Sequence, residues 1–76
     1  MEKKIYEILI KMHPEYDFKS SKNFVEDGYL DSFDVVTLVV EIESEFGILI
    51  DGLDVLPENF ESIESICKLI INSDGK

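Results

Sequence analysis

The chain has 76 residues, 45% of them hydrophobic, with 17 acidic and seven basic side chains and a formal net charge of −10. Residues 1–76 are long enough for a single small domain with a modest core. The charge argues against nucleic acid or an anionic membrane as a partner, since both attract clusters of Lys and Arg. It favours partners with basic patches, although solubility alone also accounts for it.

The composition also restricts where the protein works. One cysteine cannot form an internal disulfide, which favours the cytoplasm. No apolar run approaches the roughly 20 residues that span a bilayer. The first residues, MEKKIYEILIKM, carry too many charges for a signal peptide. We therefore expect a cytoplasmic protein without membrane insertion.

The first predicted element is an amphipathic helix over residues 2–13, which Pro14 ends. Its apolar residues follow the spacing of one helix face: Ile5, Ile8, Leu9 and Met12. His13, the only histidine, is interpreted as a surface residue at the helix end. Residues 14–30 form a long loop whose apolar side chains are expected to fold over the helices. These side chains are Phe18, Phe24, Val25, Tyr29 and Leu30.

The central helix is predicted over residues 31–46. Its β-branched run, SFDVVTLVV, favours a strand by propensity alone, but the apolar spacing is helical. The core face is predicted to consist of Val35, Leu38, Val39, Ile42 and Phe46. Asp31 is a suitable N-cap, Asp34 suits the first turn, and Gly47 suits the end of the helix.

A second apolar stripe lies on this helix, away from the core face. It consists of Phe33, Val36 and Val40, and Ser32 points to the same side near the helix start. The stripe either packs against the loop or another helix, or forms an exposed docking patch beside the serine. Both interpretations remain open at this point. The far side carries Asp34, Thr37, Glu41 and Glu45.

The connection after the central helix is predicted to contain one short helical turn. Asp51 is expected to cap this turn, which runs through Val55 or Leu56 and ends at Pro57. Phe60 is expected to anchor the junction in the core.

The last helix is predicted over residues 62–72, with Ser62 as its N-cap and the tail NSDGK frayed. Its buried face is predicted to consist of Ile63, Ile66, Cys67 and Ile70. Cys67 then behaves as a small hydrophobic residue rather than a reactive thiol. Together the elements predict an all-α fold, a small bundle of three to four helices with a long first loop.

Catalytic and metal-binding motifs fail when they are tested on the stretch DGYLDSFDVV, residues 27–36. Hydrolytic serine chemistry needs a nearby base and usually a G-x-S-x-G elbow, which the sequence lacks. An EF-hand fails because Tyr29 and Ser32 occupy its third and sixth positions. The helix start favours a phosphate on the serine, whereas Asp31 and Asp34 oppose it. These aspartates are therefore interpreted as caps, as contacts for a basic partner, or as both.

The stretch NFVEDGYLDSFDVVTLVVEIESEFGILI, followed by ENFESIESICKLI, resembles the acyl carrier protein family, over nearly the whole chain. The resemblance implies a carrier domain that is not an enzyme. It implies a covalent 4′-phosphopantetheine arm on Ser32, transferred from coenzyme A by a magnesium-dependent phosphopantetheinyl transferase. The thiol of the arm then holds an acyl or aminoacyl group as a thioester. Loading and transfer enzymes with basic docking patches are the further partners implied, and the chain is expected to be a monomer.

The resemblance also implies which residues partner enzymes contact. The matching positions are Asp31, Phe33, Asp34, Val36, Val40, Glu43 and Glu45. Thr37 stands where carriers of fatty-acid biosynthesis commonly have glutamate, and Phe33 in GYLDSFD is more similar to aminoacyl and D-alanyl carriers. The cargo remains open among fatty acyl, aminoacyl, D-alanyl, peptidyl and polyketide groups. The alternatives are an unmodified acidic interaction module and a domain that responds to divalent ions.

Overall fold

The computed structural model describes residues 1–74, and over that range the chain forms three α-helices and three short 3₁₀ turns without a strand. The helices are α1 (Glu2–Met12), α2 (Ser32–Phe46) and α3 (Ile63–Asp74). The 3₁₀ turns are Phe18–Ser20, Gly52–Asp54 and Pro57–Asn59. The predicted all-α fold class is confirmed. Within residues 1–74, no helix has both the length and the apolar character needed to cross a membrane.

Helix α1 follows the predicted apolar spacing. Ile5 and Leu9 are fully buried, and Ile8 and Met12 are half-buried against the same core. The helix ends one residue earlier than predicted, because His13 has left the helical conformation while its N–H still donates to the Leu9 carbonyl at 2.9 Å. The imidazole is therefore free to turn toward the neighbouring helix.

Helix α2 forms in spite of its β-branched residues, because its apolar positions match a helical face. Val35, Leu38 and Ile42 are buried, which confirms the centre of that face, whereas the other two predicted residues, Val39 and Phe46, are only half-buried against the same core. Gly47 ends the helix at φ 65°, in the left-handed region that favours glycine, and its N–H donates to the Glu43 carbonyl at 3.0 Å.

The first loop supplies much of the core. Phe18, Phe24 and Leu30 are almost completely buried, and the two phenylalanine rings meet edge to face with centroids 5.4 Å apart. Tyr29 is half-buried and stacks on Tyr16 with ring centroids 4.4 Å apart. The prediction that loop side chains fold over the helices is confirmed for the buried three. The loop is thus held by its aromatic residues together with one 3₁₀ turn and a hydrogen bond from the Phe24 N–H to the Glu61 carbonyl at 2.7 Å.

The connection between α2 and α3 differs from the prediction at Pro57. Asp51 does cap a turn, and its carboxylate accepts the Leu53 N–H at 2.9 Å, but that turn ends at Asp54. Pro57 begins a second turn instead of ending the first, because its fixed φ suits a first helical position. Phe60 is fully buried, as predicted.

Helix α3 is longer than predicted. Its start is as expected, with the Ser65 N–H donating to the Ser62 hydroxyl at 3.1 Å. The prediction of a frayed tail is wrong for residues 72–74, which are helical, and Ser73 is buried. The remaining tail residues, Gly75 and Lys76, lie outside the described part of the chain. Leu69 is a further buried residue that the prediction omitted.

The residues predicted to form the buried face of α3 differ in their extent of burial. Ile66 and Ile70 are buried, whereas Ile63 and Cys67 are only half-buried against the same core. Burial raises the pKa of the Cys67 thiol, and the charge of Glu2 raises it further. The interpretation of Cys67 as a packing residue agrees with this environment.

Candidate functional site

Ser32 is the first residue of α2, and its side chain is exposed. The aspartates on either side cap the helix reciprocally. The Asp34 N–H donates to Asp31 Oδ1 at 2.8 Å, and the Asp31 N–H donates to Asp34 Oδ2 at 3.2 Å. Within residues 1–74, no group forms a hydrogen bond with the Ser32 hydroxyl. The serine is therefore not the cap, and its hydroxyl can form an ester without breaking a hydrogen bond of the fold.

His13, the residue directly after α1, contacts the capping box, which the sequence did not predict. Its Nε2 lies 3.0 Å from Asp34 Oδ1, and its Nδ1 lies 3.6 Å from Glu15 Oε2. Nε2 is buried, and its contact with Asp34 has the distance of an ion pair without the direction of a hydrogen bond. The contact is therefore an ion pair when the imidazole is protonated.

The pKa values of the pair reflect the contact. Proximity to the Asp34 carboxylate raises the pKa of His13, against the lowering effect of its burial. For Asp34, burial raises the pKa, but His13 and the Asp31 backbone together hold it below its ordinary value. Each charged form thus stabilises the other at the start of α2.

The second apolar stripe of α2 is exposed. Phe33 is 79% exposed, Val36 58% and Val40 59%. The alternative in which these residues pack against the loop or another helix is therefore wrong. The stripe begins next to Ser32 and follows α2 for two turns, so an enzyme that reaches the serine can cover it. Thr37 lies beside it and donates its hydroxyl to the Phe33 carbonyl at 3.3 Å.

The acidic residues predicted to contact partners are mostly engaged within the chain. Glu43 is half-buried and accepts the Ile50 N–H at 2.9 Å, which ties the following connection to α2. Glu45 Oε1 forms an exposed ion pair with Lys4 Nζ at 2.9 Å. With the capping contacts of Asp31 and Asp34 described above, all four predicted acids thus have intramolecular partners. Asp31 remains exposed beside the serine.

Three leucines in the connection after α2 form further exposed apolar surface that the sequence interpretation missed. They are Leu49, Leu53 and Leu56. The segment is irregular, so no period distinguishes its buried from its exposed positions.

Within residues 1–74, no three His, Cys, Asp or Glu side chains are grouped closely enough to hold a metal ion. The chemical features described here therefore centre on the hydroxyl of Ser32 and the stripe beside it.

Comparisons with known proteins identify the family of the chain. Residues 10–70 match the family described as the phosphopantetheine attachment site. The chain is 31% identical over 64 residues to aminoacyl carrier protein 2 of Bradyrhizobium diazoefficiens, covering 84% of this chain and 64% of that protein. It is 36% identical over 45 residues to aminoacyl carrier protein 1 of the same organism, covering 59% of this chain and 50% of that protein. No solved structure matches the chain significantly.

The alignments span between half and two thirds of the length of these relatives. The family match covers most of the present chain, including all of α2 and the exposed serine that begins it. The small all-α bundle is consistent with an acyl-carrier fold, and the cofactor of the family is covalently attached 4′-phosphopantetheine. The chain therefore belongs to the phosphopantetheine-binding family of acyl and aminoacyl carrier proteins.

Proposed function

We propose that Ser32 carries the phosphopantetheine arm and that the chain is an aminoacyl carrier. The observation that carries this proposal is the exposed hydroxyl at the first position of α2, which the two aspartates leave free of any capping role. A helix start also presents unpaired N–H groups and the positive end of the helix dipole to an attached phosphodiester. The serine is thus accessible, and the helix dipole favours the attached phosphate against the opposing charges of Asp31 and Asp34.

The modification transfers the phosphopantetheine group from coenzyme A to the hydroxyl oxygen of Ser32. The Ser32 oxygen attacks the phosphorus next to the pantetheine, and a new P–O bond forms. The pyrophosphate bond breaks, the adenosine bisphosphate portion leaves, and the serine proton passes to a base of the transferase. The arm supplies a thiol that holds cargo as a thioester. The chain contributes position and recognition, and its partner enzymes perform the catalysis.

The cargo class is proposed from two independent supports. Both relatives described above are named aminoacyl carrier proteins. In this chain, Thr37 lies beside the stripe at the position where fatty-acid carriers commonly have an acid. An aminoacyl group is therefore preferred to a fatty acyl group, and D-alanine belongs to the same class of cargo. A D-alanyl or peptidyl carrier remains within the proposal.

The partners proposed are a phosphopantetheinyl transferase and the enzymes that load and unload the arm. We propose that they cover the stripe of Phe33, Val36 and Val40, and that basic residues at the edge of their sites face Asp31. Such a small surface with few charges gives a short-lived complex, which suits a carrier that visits several enzymes. We also propose that residues 1–76 act as one monomeric carrier domain in the cytoplasm.

Intact mass measurement tests the attachment site. The purified chain is incubated with coenzyme A, magnesium and a transferase of broad specificity. The wild type is expected to gain one phosphopantetheine, Ser32→Ala none, and Ser44→Ala one, because Ser44 is an exposed serine at the other end of the same helix. A gain in Ser32→Ala contradicts the assignment.

The same experiment addresses the second candidate function, an unmodified interaction module. The exposed stripe of α2 favours that candidate as well, since an adaptor needs the stripe but not the serine. If a control carrier is modified and the wild-type chain is not, the module is supported. Loading of the modified chain by adenylating enzymes with individual amino acids then tests the cargo. Exclusive loading with fatty acids contradicts the aminoacyl assignment.

A further inference from the structure

The segment that follows α1 holds the chain on both sides of Ser32. The Tyr16 ring stacks on Tyr29, three residues before the serine, with ring centroids 4.4 Å apart and planes 3° apart. His13 Nε2 lies 3.0 Å from Asp34, two residues after the serine. The centroids of the His13 and Tyr16 rings are themselves 5.3 Å apart. Residues 13–16 therefore contact both the chain that precedes α2 and the first turn of α2.

The contact at His13 differs from the stacking contact because it depends on protonation. The charged groups that face the imidazole are Asp34 from α2 and Glu15 from its own segment, and Tyr16 contributes only its ring. Asp34 at the same time accepts the Asp31 N–H within the capping box. A positive imidazole therefore attracts the carboxylate that closes the box, and a neutral imidazole does so far less.

We propose that His13 is a positioning residue for Ser32, whose positive charge holds Asp34 and the first turn of α2 in the arrangement on which the transferase acts. The proposal rests on the attachment at Ser32 proposed above. Because the pKa of His13 is raised from 6.5, the charged state persists above that pH and is lost as the pH rises through the shifted value. The carrier then becomes a poorer substrate at higher pH without unfolding.

The test compares His13→Gln with a matched control, Lys4→Gln. Both substitutions remove a basic side chain, in α1 or directly after it, that pairs with an acid of α2, but Lys4 contacts Glu45 at the far end of α2. The rate of phosphopantetheine transfer, kcat/KM, is measured across a pH series for the wild type and both variants. The ratio of wild type to variant at each pH cancels the pH dependence of the transferase itself.

For His13→Gln, this ratio is expected to be about fivefold below pH 6.5, the order of effect of one charge-assisted contact. It is expected to fall to about one above the raised pKa, because glutamine resembles the neutral imidazole. The ratio for Lys4→Gln is expected to stay flat. As a second readout, the NMR amide resonance of Asp31 is expected to shift with the His13 titration in the wild type and not in His13→Gln.

Three results overturn the inference. If the ratio for His13→Gln does not change with pH, the charge of His13 has no role in the transfer. If Lys4→Gln gives the same pH profile as His13→Gln, the effect comes from general stability and not from positioning of Ser32. Faster modification of His13→Gln at low pH shows that the histidine shields Asp34 from the transferase. In each of these cases the wild type is still modified, so the proposed function stands. Absence of modification in every variant, wild type included, removes the proposed function and this inference together.

Discussion

Two valines on opposite faces of α2 separate the role of the core from the role of the exposed stripe. Val35 is 4% exposed and Val40 is 59% exposed, so the same substitution to alanine has different consequences at the two positions. Each change removes two methyl groups, which contribute about 1.6 kcal/mol when fully buried. The higher helix propensity of alanine offsets about 0.5 kcal/mol of that loss.

The net expectation follows from these quantities. Val35→Ala is expected to lower the free energy of unfolding by about 1–2 kcal/mol, since the cavity it leaves adds to the loss. Val40→Ala loses less than half of the stabilisation that two fully buried methyl groups contribute. The higher helix propensity of alanine nearly cancels this loss, so the net change in the free energy of unfolding is about 0.2 kcal/mol. For phosphopantetheine transfer, the order of the two variants is reversed. Val40→Ala is expected to lower kcat/KM for phosphopantetheine transfer several-fold, because it removes part of the proposed docking surface, whereas folded Val35→Ala is expected to retain normal activity.

Urea denaturation followed by circular dichroism measures the first quantity. With a slope of about 1 kcal/mol per molar urea for so small a domain, the midpoint of Val35→Ala is expected to fall by about 1–2 M, and that of Val40→Ala by less than about 0.3 M. The transferase assay at low temperature, where both variants are folded, measures the second. Equal midpoints for the two variants would refute the placement of Val35 in the core and Val40 on the surface, and unchanged transfer to Val40→Ala would refute the proposed docking surface.

Two further substitutions test the ends of α2. Gly47→Ala is expected to cost about 1 kcal/mol in the free energy of unfolding, all of it from the left-handed backbone, since no atom lies within 4 Å of the added Cβ. A thermal melt that is unchanged would contradict this reason. Asp31→Ala is expected to cost about 1 kcal/mol because it removes the cap, whereas Ser32→Ala should change stability by less than about 0.5 kcal/mol. Equal losses for these two variants in urea would show that the serine hydroxyl is part of the cap.

The helices were predictable because their signals are local. The apolar spacing of α2 overruled the strand propensity of its valines, and the capping role of Asp31 follows from its place before the first turn. The error at Pro57 also has a local cause. Proline ends a preceding helix and begins a following one equally well, so its position alone did not distinguish the two.

The pairing of the acidic residues was not predictable, because it depends on packing between helices. Lys4 and Glu45 are 41 residues apart, and only the antiparallel arrangement of α1 and α2 brings them to 2.9 Å. For His13 the sequence offered no signal beyond its place at a helix end, and its contact with Asp34 arises from the way the chain leaves α1. The exposure of the stripe likewise became known only once every element was in place.

The half-buried position of Cys67 has a consequence for the lifetime of the cargo. A thioester is attacked by thiolates, and a thiol whose pKa lies above its ordinary value remains almost entirely protonated near neutral pH. The chain's own sulfur therefore competes poorly for an acyl group held on the arm, and transfer within the molecule is suppressed. Selective alkylation at neutral pH should accordingly label the free thiol of the arm before Cys67. Because a thioester blocks the arm thiol, the thiol that is labelled first reports whether the arm carries cargo.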